Sequence, residues 1–283
     1  MTANSANTSA GGFMPRFLRS LLIVLLIGYG MAAGYMYTFQ RSFIFKPSGD
    51  VGTPQGTELA TVEVGTFTAS DGTKLMIWSA PPQAEGLPTV LYFHGNAQNM
   101  TTRDWRFAQI LADGYGLMAV GYRGFPGSEG APSEAAFIQD GLEVYDQLKA
   151  KGGPVIVHGE SLGTGVATAV AAARANVDLL VLEAPYTAVS DMAKQSYFWL
   201  PVDLMIKDPF LSRERIGSVK SPVLILHGTQ DKVIPVSHGR ALFEFANEPK
   251  KLVIMDGATH KDLWKRDLWS RVKAYWSEVS SRS

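Results

Sequence analysis

A serine framed by glycines is the first feature of this chain with chemistry in it. Gly159-Glu160-Ser161-Leu162-Gly163 follows the apolar, β-branched run Val155–Val157 and passes into the Ala-rich stretch Leu162–Arg174, so the order is strand, sharp turn, helix. A serine at such a turn sits in a cramped backbone conformation that only tiny flanking residues permit, and Gly159 and Gly163 supply them. The backbone N–H groups opening the next helix have no partner within it and carry the positive end of its dipole. An oxyanion forming beside Ser161 would be stabilised there. Glycine–serine patterns of this length also occur in ordinary strand–helix turns. The position between strand and helix, with no second G-x-S-x-G in the chain, favours the nucleophile.

A serine hydroxyl is a weak nucleophile until a base takes its proton, and that base must be oriented by a third group. Of five histidines, only His260 follows the last expected strand (252–255) and precedes the last expected helix (262–279), where an imidazole can reach over Ser161. His94 and His227 stand beside glycines at strand ends and read as loop braces; His158 lies on the strand entering the turn, and His238 inside a helix. Asp231, delivered by the turn after strand 223–227, is the leading acid, with Glu183 as runner-up and Asp256 third. The competing role for Asp231 is to cap Val233-Ile234-Pro235. After the strand Thr89–Phe93, His94-Gly95-Asn96-Ala97 puts glycine where backbone must approach substrate. The N–H of Asn96 or Ala97 would then join that of Leu162 as an oxyanion hole.

The elements that must position these residues alternate. A hairpin (61–69 and 73–80) comes first, then strand 89–93, helix 101–113, strand 117–121, helix 134–149, the elbow strand and its helix, strand 179–182, strand 223–227, helix 236–246, strand 252–255 and the last helix. Such alternation implies an α/β fold with a mostly parallel sheet covered by helices on both faces. Residues 184–221 interrupt it with Tyr197-Phe198-Trp199-Leu200-Pro201 and Leu204-Met205-Ile206. They read as a short helical lid that packs its own small core, lines an apolar acyl pocket, or does both.

Formal charge is balanced at 26 basic and 26 acidic residues, so no global field recruits nucleic acid. There is no cysteine, which excludes disulfides, thiolate nucleophiles and Cys-based zinc sites. Residues 1–20 read as a polar, disordered tail, and 21–39 as an uncharged apolar run about long enough to span a bilayer. Arg16 and Arg19 precede this run, Arg41 and Lys46 follow it, and Tyr29, Tyr35, Tyr37 and Phe39 crowd its second half. No polar face repeats along it, which argues against a buried core helix. A retained signal anchor is favoured over a cleaved signal, although Ala32-Ala33-Gly34 offers small residues at a cleavage site. With the N-terminus inside, the domain at 47–283 would lie on the extracytoplasmic side.

Several segments together carry a family likeness. Phe93-His94-Gly95-Asn96-Ala97-Gln98-Asn99, Gly121-Tyr122-Arg123-Gly124-Phe125-Pro126-Gly127-Ser128-Glu129-Gly130, Pro132-Ser133-Glu134, Gly159–Gly163 and His227-Gly228-Thr229-Gln230-Asp231 resemble the Bem46-like branch of the α/β-hydrolases. That branch includes membrane-anchored acyl-protein thioesterases and proteins described as serine aminopeptidase-like. The resemblance implies the α/β-hydrolase fold over residues 40–280, with Ser161 as nucleophile, Asp231 as acid and His260 as base. Thr164 stands where the branch often has another glycine. The expected activity is hydrolysis of carboxylic esters or thioesters through an acyl-enzyme, on small-molecule or acylated substrates at a membrane held by residues 21–39. It would need neither metal nor organic cofactor. The alternatives are a proline-iminopeptidase-like serine peptidase and a non-catalytic, membrane-tethered scaffold.

Overall fold

The computed structural model describes residues 15–56 and 59–281. It divides into two units, Met1–Gln40 and Arg41–Ser283. In the first, helix α1 (Arg16–Ile44) has no buried residue and a mean hydropathy of 1.8 over its most apolar stretch. At about 1.5 Å per residue it is long enough to cross a hydrocarbon core of about 30 Å. It starts at Arg16, inside the stretch expected to be a polar tail; residues 1–14 lie outside the described residues. It also continues past 39, and its last turn, Arg41–Ile44, counts with the second unit. That unit therefore begins six residues ahead of the expected boundary at 47.

Within the body, the short strand β1 (Lys46–Pro47) is followed by the hairpin strands β2 (Glu63–Thr68) and β3 (Lys74–Ala80), then β4 (Thr89–Phe93) and the short β5 (Ala97–Gln98). A 3-10 turn at Met100–Arg103 leads into α2 (Asp104–Ala112), β6 (Gly116–Val120), α3 (Glu134–Ala150), β7 (Val155–Glu160), α4 (Gly163–Ala173) and β8 (Leu179–Glu183). The interval expected as a lid holds α5 (Val189–Ser196), α6 (Val202–Met205) and α7 (Ser212–Arg215). β9 (Val223–Gly228), α8 (Val236–Phe245), β10 (Lys250–Met255) and α9 (Leu268–Ser280) complete the chain. The last helix begins six residues later than expected: Asp262 is spent capping the loop, by accepting from the Thr259 N–H at 2.6 Å, and Asp267 turns left-handed at φ +65°.

Eight strands form one sheet in the order β10-β9-β8-β7-β4-β6-β3-β2; β2–β3 and β3–β6 pair antiparallel and every other pair is parallel. The parallel strands are apolar on both faces because both are covered. Leu91 and Phe93 pack with Phe137, Val144, Val166, Val170 and Leu242 from α3, α4 and α8. Val90 and Tyr92 pack on the other face with Phe107, Ile110, Trp269 and Val272 from α2 and α9. α3 can lie this close because Gly141 meets Phe93, Val166 and Val170, all 3.1 Å from where a Cβ would sit. After β4 the chain builds β6 on one side, then crosses to β7 on the other and continues outward. The order thus reverses at β4–β7, and the crevice beyond the carboxyl ends of those strands is where open α/β sheets bind ligands.

Candidate active site

Ser161 leaves the end of β7 with φ +51°, a left-handed conformation that costs a non-glycine residue of order 1–3 kcal/mol. Its neighbours explain the glycines. A Cβ on Gly163 would collide with the carbonyl oxygen of Phe93, and one on Gly159 would fall 2.5 Å from the carbonyl oxygen of Gly163. The turn is pinned by the Ser161 N–H, which donates to the Glu183 carbonyl at 2.9 Å, and by the Thr164 hydroxyl, which donates to the Ser161 carbonyl at 2.6 Å. Thr164 therefore has a task that a glycine at its place would leave undone.

The three residues singled out as nucleophile, acid and base converge. His260 Nε2 lies 3.0 Å from Ser161 Oγ, and His260 Nδ1 lies 2.7 Å from Asp231 Oδ2. With Nδ1 donating to the carboxylate, Nε2 is left to accept from the serine hydroxyl. Asp231 is fixed on its other side by the Val233 and Ile234 N–H groups, each donating to Oδ1 at 2.8 Å. It caps that turn and orients the imidazole at once. Burial would raise its carboxyl, but the His227 and His260 imidazoles and the Ile234 N–H outweigh that and hold it well below the usual carboxylate range. The loops carrying Asp231 and His260 are locked together: Gln230 N–H donates to the Ala258 carbonyl at 2.8 Å, and Thr229 Oγ accepts from the Gly257 N–H at 2.8 Å.

The other candidates lie elsewhere. Asp256 accepts from the Thr229 hydroxyl at 3.1 Å as part of that loop bracing. Glu183 is engaged elsewhere: it is buried under the sheet end, accepting from Trp264 Nε1 at 2.8 Å and Arg106 at 3.2 Å, with His158 Nε2 at 3.2 Å. His227 Nε2 donates to the Ile234 carbonyl at 2.8 Å, and His94 Nδ1 to the Gly95 carbonyl at 2.7 Å, both as loop braces. His238 meets the Thr187 hydroxyl at 2.9 Å.

Among the described residues, the backbone N–H groups of Leu162 and Asn96 donate to no protein acceptor. They belong to the two segments that meet where Gly163 abuts Phe93 and His94. Ala97 opens β5, and its carbonyl accepts from Arg103 at 3.2 Å. What sequence reasoning missed is how this loop is held. Arg103 forks onto Glu160 with two contacts of 3.0 Å and reaches the Asn99 carbonyl at 3.0 Å, while Gly95 N–H donates to Glu160 at 3.3 Å. Glu160, the residue before Ser161, thus ties the elbow to the loop after β4. Burial would raise its carboxyl; Arg106 and Arg103 reverse that and keep it ionised. The available signal was a carboxylate in an otherwise apolar elbow and two arginines three residues apart, Arg103 and Arg106.

The lid differs from expectation. Phe210 and Ile216 join the main core, so the segment does not build a separate one. Phe198 and Leu204 are 85% and 87% exposed instead of lining a pocket. Among the described residues, no three His, Cys, Asp or Glu side chains group as a metal site. A cleft of 580 Å³ lined by Lys149, Asp178, Ser221 and Trp276 opens at the amino ends of β7–β9, away from Ser161.

Comparison with known proteins fits this geometry. The family model described as "Serine aminopeptidase, S33" matches residues 85–206. An uncharacterised protein of Mycobacterium tuberculosis is 30% identical over 252 residues, covering 87% of this chain and 89% of its own. The chain belongs to the α/β-hydrolase superfamily. This α/β-hydrolase is also similar to the lysophosphatidylserine lipase ABHD12 of Rattus norvegicus, 34% identical over 194 residues, which are 61% of this chain. It spans about half (49%) of that lipase's length. Among solved structures, the Pyrococcus furiosus esterase Pf2001 shares the fold with a TM-score of 0.68 at 21% identity, over 83% of this chain and 99% of that one. These likenesses establish the superfamily and not the Bem46-like branch.

Proposed function

We propose that this α/β-hydrolase cleaves carboxylic esters or thioesters through an acyl-enzyme, at the surface of a membrane in which residues 21–39 are anchored. The observation that carries the reading is the relay of Ser161, His260 and Asp231, with contacts of 3.0 and 2.7 Å, mounted on a strained turn. In the proposed reaction His260 takes the hydroxyl proton as Ser161 Oγ attacks the carbonyl carbon. The tetrahedral oxyanion is met by the N–H groups of Leu162 and Asn96, and collapse expels the alcohol or thiol with the proton from His260. Water, deprotonated by His260, then attacks the acyl carbon, and Ser161 recovers its proton as the acid departs. Asp231 keeps the imidazole in the required tautomer and stabilises its protonated form.

Ester chemistry is supported by relatives and neighbours named as a lysophosphatidylserine lipase and an esterase. Membrane action is supported by the length and hydropathy of α1; the charges flanking it tie at two on each side, and the free amino terminus adds only a slight bias toward a body on the extracytoplasmic side. The family model's description favours a second reading, an aminopeptidase. Such an enzyme needs an uncommitted carboxylate for the substrate amine, yet Asp191, Asp203 and Asp208 are paired with Arg213, Lys194 and Arg41 at 2.6 to 2.8 Å. Ester hydrolysis is therefore preferred. The test is fluorophosphonate labelling of the detergent-solubilised full chain. Labelling of wild type that is absent from Ser161→Ala and strongly reduced in His260→Ala is expected; folded wild type that takes no label would refute the reading.

A further inference from the structure

The loop after β4 is held from a second direction. Asn96 Nδ2 donates to the Ile44 carbonyl at 3.0 Å, and the Lys46 N–H donates back to the Asn96 carbonyl at 2.9 Å. β1 then pairs parallel with β5, Lys46 opposite Ala97 and Pro47 opposite Gln98, and Asn99 Nδ2 donates to the Asp50 carbonyl at 2.9 Å. The segment making these bonds is itself anchored. Phe45 is 2% exposed, its ring 5.1 Å from that of Phe137 and 6.4 Å from that of Phe210. Arg41 grips Asp208 through Nε at 2.8 Å and Nη2 at 3.3 Å, and Asp208 also accepts from the Glu134 N–H at 2.8 Å. The loop needs such support, because Gln98 is held left-handed at φ +64°, a conformation that persists only where surroundings impose it.

We propose that Arg41–Pro47 is a positioning strap of the active site, which sets the Asn96 N–H against the oxyanion through its bonds to the Asn96 carbonyl and side chain. The proposal rests on the serine-hydrolase reading above. An oxyanion donor acts only when aimed at the place where charge develops, so a displaced donor loses transition-state stabilisation while substrate affinity is kept. Phe45 and the Asn96 side chain touch no reacting atom. They act through the Asn96 backbone. Sequence reading gave Arg41 and Lys46 to the flank of a membrane anchor, and nothing in that role calls for bonds to the loop beside Ser161.

The test uses the full chain in detergent micelles, comparing wild type, Phe45→Ala, Phe45→Leu and Asn96→Ala for hydrolysis of a short-chain thioester. Each variant is also inhibited with a trifluoromethyl ketone, whose hemiketal oxyanion depends on the same donors. Phe45→Ala and Asn96→Ala should lower kcat about tenfold or more, below the roughly 10²–10³-fold that outright loss of one donor costs. KM should stay within about twofold and inhibitor affinity should fall in parallel with kcat. Phe45→Leu should restore most of both. A fall in activity that only follows the folded fraction, a change confined to KM, or undiminished inhibitor affinity would overturn the strap. Wild type that takes no fluorophosphonate would sink the hydrolase reading and the strap with it; labelled wild type with unaffected variants would sink the strap alone.

Discussion

The two sides of the site are held by different physics. On the proposed acid–base side, Asp231 and His260 sit on loops leaving β9 and β10, braced by short backbone contacts and by each other. On the proposed oxyanion side, the loop after β4 is bonded to distant partners: a buried carboxylate with its arginine, and a strap from the start of the body. One side is built locally and the other by contacts from remote parts of the chain. Substitutions should therefore behave differently on the two sides, with chemistry lost on the first and geometry or stability lost on the second.

The largest effect should come from Ser161→Ala, which removes the proposed nucleophile and should cut kcat for a short-chain ester by about 10⁴-fold or more, with a folded-state circular dichroism spectrum unchanged. Asp231→Asn keeps shape and removes charge; a loss of about 10⁴-fold is expected, and one below about tenfold would mean that His260 is oriented by something else.

On the other side, Arg103→Ala leaves Glu160 buried with Arg106 as its remaining cation and should destabilise the fold by about 1.5–3 kcal/mol in urea unfolding. The double change Arg103→Met with Glu160→Gln should recover most of that stability without recovering kcat. Recovery of both would erase the contrast between the two sides.

Acid should expose the loop next. His94 is buried between Tyr122 and Phe125, and desolvation, with Arg103 nearby, pushes its imidazole down to about 3. The unfolded chain takes up that proton near 6.5 and the folded one only near 3, so stability is undiminished above 6.5 and falls as pH drops between them. By pH 5 the loss should be about 2 kcal/mol, with His238, also pushed down by burial, adding in the same direction. Asp231, held low, keeps its contribution until the pH falls below the ordinary carboxylate range, so the window from 5 to 6.5 isolates the histidines. Thermal midpoints across that window, with and without His94→Gln, check the slope. The smallest effect belongs to the lid tip, where Phe198→Ser and Leu204→Ser should each change stability by less than about 0.5 kcal/mol, since neither side chain is buried.

Much of this arrangement was legible because it is encoded in short segments. The strands 89–93, 155–160 and 223–228 carry the apolar runs Val90–Phe93, Val155–Val157 and Val223–Leu226 and lead into glycine-bearing turns, and each turn delivers one of the residues under discussion. Ser161, Asp231 and His260 could be selected by their place after those strands and after β10. The oxyanion-side supports were hidden for a physical reason: Glu160 and Arg103 are 57 residues apart, and Asn96 and Ile44 are 52 apart. Their partnership is visible only once the sheet order has closed the distance. The lid misled for another reason, since aromatic composition says nothing about which way Phe198 points.

Where a shortened form of this protein is begun will decide what it reports. The sequence suggests residue 47 as the first residue of a tidy domain, and a form cut to that boundary would begin there. That cut would discard Phe45 and expose the apolar edges of Phe137 and Phe210 that its ring covers; loss of a buried phenylalanine side chain costs about 3–5 kcal/mol. A form begun at 41 keeps the ring, the Asp208 pairing and both bonds to Asn96. Two preparations differing by six residues should therefore differ in yield and in turnover, and an inactive short form would be a poor reason to call the protein inactive.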